Sequence, residues 1–162
     1  MKFTSWEDVQ KTLEVEATEF LDRAYGIELD IPIVINSRLK STYGCFKFKP
    51  KTREPLRIEI GKNYIENQKW ETVIETLIHE CIHYALYVQN LPYRDGHPLF
   101  EAELKKHGSH STGTVKYHGK VVQYDCPSCG KVYQKKKRYP RNQTYKSGCC
   151  RQPIRFIGEK IV

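Results

Sequence analysis

The sequence predicts an α+β protein: an amino-terminal helix, a small three-stranded sheet and two further helices, followed by a small β-rich module organised by cysteines. Three observations predict it. Apolar residues recur at helical spacing over 6–24 and again over 70–89; three short alternating runs separated by turn residues lie between them; and four of the six cysteines fall between Cys126 and Cys150. A chain of 162 residues has room for one ordinary domain plus a small stapled module, which sets aside a large multidomain enzyme.

Ser5 followed by Asp8 forms a capping box, and Trp6, Val9, Leu13, Ala17, Phe20, Leu21 and Ala24 then make one apolar stripe that ends at Gly26. Ile33–Ile35, Tyr43–Phe48 and Leu56–Ile60 alternate and are rich in β-forming residues, so they read as strands between turn signals. From Trp70 to Gln89 no Gly or Pro interrupts a pattern of Val73, Ile74, Leu77, Ile78, Ile82, Ala85 and Leu86, which buries a helix over most of its circumference. A shorter helix opens at Pro98 and stops before Gly108. Beyond it, Thr114–Tyr117, Val121–Tyr124, Lys131–Gln134 and Ile154–Ile157 read as short strands.

The net charge of +8 is unevenly spread. Residues 115–162 hold 12 Lys and Arg against Asp125 and Glu159, a balance of +10; residues 1–114 hold 15 against 17, a balance of −2. We therefore divide the chain into 1–112 and a basic module, 113–162. The first residues reach Glu7 and Asp8 before any apolar run, and no stretch approaches the roughly 18 apolar residues of a membrane span. A cytoplasmic protein with no membrane partner is expected. Thiols clustered in a reducing compartment more often hold metal than form disulfides.

His79-Glu80-Cys81-Ile82-His83 fits H-E-x-x-H within the buried helix. Residues four apart share a face, so both imidazoles can meet one Zn²⁺ at about 2.0–2.1 Å, while Glu80 points near the ion without ligating it. There it can take a proton from activated water and pass it to a leaving amine. A catalytic zinc needs a third protein ligand. The metzincin pattern would need glycine at Leu86, histidine at Gln89 and a later methionine, yet Met1 is the only methionine. His97 and Glu103, 14 and 20 residues beyond His83, remain.

A helix with H-E-x-x-H, a loop of about a dozen residues, and then Gly96-His97 followed by Pro98 and Phe100 resembles the SprT-like metalloproteases, the Spartan-related group. The resemblance implies a zincin-like core followed by a zinc ribbon, with His79, His83 and His97 as ligands of a catalytic zinc and Glu80 as the catalytic acid/base. It further implies action on DNA-associated or DNA-crosslinked proteins, and association with the nucleoid if the source is bacterial. His107, His110 and His118 match no ligand position of the family. Tyr93, Arg94, His107 and His110 are oxyanion candidates by sequence proximity alone.

Cys126-Pro127-Ser128-Cys129-Gly130 has the form of a zinc knuckle, and Ser147-Gly148-Cys149-Cys150 supplies the second half of a structural zinc site. Related ribbons carry cysteine at the Ser147 position. Either Cys149 takes that place or Cys126, Cys129 and Cys150 bind with another donor; the expectation is Cys149. Cys45 and Cys81 read as small core residues. Around the ribbon, Lys135, Lys136, Lys137, Arg138 and Arg141 alternate with Tyr133 and Tyr139, a pattern in which cations neutralise phosphates and rings stack on unpaired bases. Single-stranded DNA is the favoured nucleic acid, with a protein or peptide as substrate. The competing reading is a non-proteolytic nucleic-acid-binding or transcription accessory protein whose first metal site is structural.

Overall fold

The Ser5 hydroxyl accepts the Asp8 amide and so opens helix α1 (Trp6–Tyr25), which stops at Gly26, where a φ of 62° favours glycine. The computed structural model describes residues 3–40, 42–109 and 119–162. The chain forms two units, residues 1–116 and 117–162.

In the first unit the buried stripe of α1, Val9, Leu13, Ala17, Phe20 and Leu21, packs on helix α3 (Trp70–Val88) and strand β1 (Ile33–Asn36). Strands β2 (Gly44–Phe48) and β3 (Pro55–Gly61) complete a sheet ordered β1-β3-β2, in which β1 is parallel and β2 antiparallel to the central strand. Ile33 and Phe46 both lie opposite Ile58, so one sheet face presents Ile33, Ile58, Ile60 and Phe46 to the core. The register turns Glu59 to the other face, where Asn36 and Arg57 donate to its carboxylate at 2.9 and 2.7 Å. Helix α3 lies against β2 and β3, and helix α4 (Pro98–Lys106) lies against α3 with Phe100 and Leu104 buried.

The first sheet and helices α1 and α3 form where apolar spacing predicts them, and α4 forms where Pro98 and Gly108 bound it. A further short helix, α2 (Lys62–Asn67), has no side-chain cap and gives no apolar stripe in the sequence. Its anchor is tertiary: the buried Tyr64 stacks on Tyr43 at 4.4 Å and its hydroxyl meets Thr76 Oγ1 at 2.8 Å.

In the second unit β4 (Lys120–Asp125) lies between β5 (Val132–Lys135) and β6 (Arg155–Ile161), all antiparallel. Strand β6 runs past the expected end at Ile157 because its pairing with β4 continues to Lys120. Arg155 clamps Asp125 with two bonds of 2.8 and 2.7 Å. Its buried apolar side chains are few, Val121, Val122, Tyr124 and Cys126 among the described residues, which is the situation in which small modules need a staple. The expected strand over Thr114–Tyr117, with His110 and His118, lies outside the described residues. Among the described residues no helix is long and apolar enough to cross a membrane.

Candidate metal centres

Helix α3 places His79 and His83 one turn apart on one face, and their Nε2 atoms lie 3.2 Å from each other. Asp95, in the turn before α4, brings Oδ1 to 3.1 Å from His79 Nε2 and 3.5 Å from His83 Nε2. Four-coordinate zinc with bonds of about 2.0–2.1 Å separates its donors by about 3.3 Å. The three side chains therefore fit a metal ion of that size.

Several contacts hold the histidines for this task. His83 Nδ1–H donates to the Tyr93 carbonyl, which leaves Nε2 as the lone-pair nitrogen facing the site. Phe100, fully buried, stacks on His83 at 4.1 Å and meets His79 edge-on at 5.3 Å. Burial leads the effects that hold the His83 ring below its ordinary pKa, so the neutral, ligating form is favoured.

Glu80, next to His79 in the chain, is 7% exposed. Burial pushes its carboxyl up to about 8, opposed by a hydrogen bond from the Phe46 amide and assisted by Asp95. Burial thus favours the protonated carboxyl at neutral pH. The Phe46 contact comes from β2, an edge strand of its sheet.

His97 is the N-cap of α4: its Nδ1 accepts the Leu99 amide at 3.2 Å, and its ring is outside the His79, His83 and Asp95 group. Glu103 accepts the Tyr25 hydroxyl at 2.7 Å and is likewise outside the group. His107 packs edge-on to Phe20 at 5.1 Å, with its Nε2 3.5 Å from Glu103 Oε2. Cys81 is fully buried and Cys45 half-buried. Asp95 is the member that sequence reading missed. It is one acidic residue in a polar turn, and only the closing of the 89–97 segment over α3 brings it to the histidines.

In the second unit all four thiols, Cys126, Cys129, Cys149 and Cys150, gather within ligand reach of one another. The knuckle forms because the Gly130 amide donates to the Cys126 carbonyl at 2.8 Å, with Gly130 at a φ of 75° that suits glycine. Cys129 and Cys149 sulfurs approach to 3.4 Å. Ser147, where related ribbons have cysteine, is buried; its hydroxyl accepts the Cys150 and Gln152 amides at 3.3 and 3.2 Å and shapes the second turn. The Tyr133 hydroxyl accepts the Cys149 amide at 3.1 Å, and its interaction with the thiol is first among the effects that draw Cys149 down to about 6. Low thiol pKa favours the thiolate that a metal requires.

Around this cluster Lys135, Lys136, Lys137, Arg138 and Arg141 are exposed. The Lys135 amine lies 5.1 Å from the Tyr139 ring centre, the Arg138 guanidinium 3.8 Å from that of Phe156, and Tyr139 stacks on Tyr145 at 3.8 Å.

Fold and sites together define a class: an α+β protein with a helix-borne histidine pair fit for a metal ion and a separate four-cysteine module. The chain belongs to the SprT-like family, whose model matches residues 11–123. It is 30% identical to "Protein SprT-like" of Streptococcus suis (strain 05ZYH33) over 134 residues, covering 78% of this chain and 85% of that one. The protein of the same name from Geobacillus kaustophilus (strain HTA426) is 26% identical over 152 residues, covering 91% and 98%. The one from Streptococcus mutans serotype c is 30% identical over 132 residues, covering 81% and 87%.

Proposed function

We propose that the chain is a zinc-dependent endopeptidase that acts on proteins bound or crosslinked to DNA, with its cysteine ribbon as the nucleic-acid anchor. The observation that carries the hydrolytic reading is Glu80: a buried carboxyl raised to about 8, one residue from a histidine pair with zinc-compatible spacing. When bound, zinc supplies Lewis acidity toward the attacking water and the scissile carbonyl. The rest is the work of this chain's side chains. Glu80 takes the water's proton and returns it to the departing amine, and the Phe46 amide holds that carboxylate in place. An extended peptide pairs along the edge of β2, which sets its backbone beside Glu80.

His79 and His83 are two zinc ligands, and His97 is the third, as the family resemblance implies. Its imidazole is an exposed cap held by the Leu99 amide, and giving up a side-chain cap costs a helix about 0.5–2 kcal/mol. Asp95 then serves as a hydrogen-bonding partner beside the ion. Cys126, Cys129, Cys149 and Cys150 hold a second, structural zinc.

The DNA-directed part rests on the +10 balance of residues 115–162 and on exposed cations lying over aromatic rings. A cytoplasmic, nucleoid-associated place belongs to the same reading. The test is incubation with a protein crosslinked to single-stranded DNA and with the same protein free. Cleavage that needs the DNA supports the whole reading; DNA binding without cleavage returns the chain to the non-proteolytic accessory class.

A further inference from the structure

Strand β2 begins with Gly44, and the reason for glycine there is not its backbone, because Gly44 is absent from the positive-φ glycines. The reason is room. A Cβ built at this position would lie 3.0 Å from Glu80 Cγ, 3.0 Å from Thr76 Cγ2 and 3.2 Å from Glu80 Oε1. Real Cβ atoms seldom come this close, so a side chain at 44 would force a neighbour to move.

Which neighbour moves follows from how each is held. Thr76 and Glu80 sit one turn apart on the same face of α3, between the fully buried residues Val73, Leu77 and Cys81. The Thr76 hydroxyl is tied to the Tyr64 hydroxyl, and Tyr64 is itself buried and stacked on Tyr43. The backbone of β2 is paired through Gly44 to Ile60 of the central strand. The Glu80 side chain, with three rotatable bonds, is the part that yields. Its carboxylate is also the part that must stay, because it accepts the Phe46 amide two residues along the same strand.

The structure assigns Gly44 as a positioning residue for the acid/base carboxylate: the missing side chain forms the notch in which Glu80 lies against the edge of β2 and meets the Phe46 amide. This inference rests on the peptidase reading for its catalytic consequence, though not for its geometry. A displacement of a few tenths of an ångström to an ångström in an acid/base group lowers turnover without removing a metal ligand.

The test uses zinc-loaded full-length protein and three variants: Gly44→Ala, Thr76→Ser and the double variant. Thr76→Ser removes the Cγ2 methyl while keeping the hydroxyl for Tyr64, and so opens one side of the notch. Expected for Gly44→Ala is a kcat at least about tenfold lower with KM and zinc content unchanged, and partial recovery in the double variant. The nitrogen–proton spectrum gives a readout independent of turnover: the Phe46 amide resonance moves in Gly44→Ala and in Glu80→Gln alike. Wild-type kcat in Gly44→Ala, or an unmoved Phe46 amide, overturns the assignment. So does a Gly44→Ala protein that fails to fold while the double variant has wild-type kcat, since the notch would then serve packing alone. If the intact protein cleaves no peptide, the peptidase reading fails, and the Phe46 resonance still decides the role of Gly44.

Discussion

The Phe100 ring lies nearly parallel to the His83 imidazole, centroids 4.1 Å apart and planes 17° from parallel. One residue of α4 thus walls the histidine pair that α3 supplies, and fixes ring orientation as well as core packing. Phe100→Leu keeps most of the volume and loses the flat face. We expect a stability loss of about 1–1.5 kcal/mol by denaturant titration and zinc affinity about tenfold weaker by competition with a chelator. Unchanged zinc affinity would show that the ring serves the core only.

The third ligand is tested by metal content and by the visible spectrum of the cobalt-substituted protein. His97→Ala should lose the α3 metal, whereas Asp95→Asn should keep it with affinity weakened about tenfold, and Glu103→Gln should leave it unchanged. Loss of the metal in Asp95→Asn with retention in His97→Ala would make the observed His79, His83 and Asp95 set the ligand set.

Glu80 gives the metal-free protein a pH-dependent stability. Its folded pKa, about 8, lies above its ordinary value of 4.5, so ionising it opposes folding. Below about pH 4 the folded and unfolded states both hold the proton and no penalty exists; the penalty grows as pH rises and is complete above about pH 8. Calorimetry on chelator-treated protein should therefore find Glu80→Gln more stable than wild type at pH 8–9, with the gap closing by pH 4. Parallel profiles across that range would contradict the buried, raised carboxyl.

Much of this was legible in the sequence, and the exceptions share a physical cause. The helices α1, α3 and α4 carry their own signals: Ser5 with Asp8 and Gly26 for the first, an unbroken apolar pattern for the second, Pro98 for the third. H-E-x-x-H needed only helical spacing to bring His79 and His83 together. Helix α2 was missed because Tyr64 is held by Tyr43 and Thr76, contacts that exist only once the sheet and α3 have met. Asp95 was missed for the same reason, since no local pattern says that a turn will fold back over α3. The Ser147 departure from related ribbons became intelligible only when its hydroxyl was seen to accept two amides of the turn that presents Cys149 and Cys150.

For the ribbon, charge reversal at Lys135, Lys136 and Lys137 should weaken single-stranded DNA binding and flatten its salt dependence, because fewer counterions are released. Zinc in the ribbon should stay, since these exposed side chains are not ligands. Cys149→Ala, by contrast, should lose that zinc. Equal DNA affinity in the charge-reversed protein would leave the basic face as a solvated surface.

The most direct measurement is peptide-bond cleavage by Glu80→Gln with its zinc content measured in the same sample. Glutamine keeps the shape of the side chain and replaces the ionisable carboxyl with a neutral amide, and His79, His83 and His97 are untouched. The account predicts full zinc occupancy with turnover reduced by about 10²-fold or more. Full zinc occupancy with wild-type turnover would contradict it.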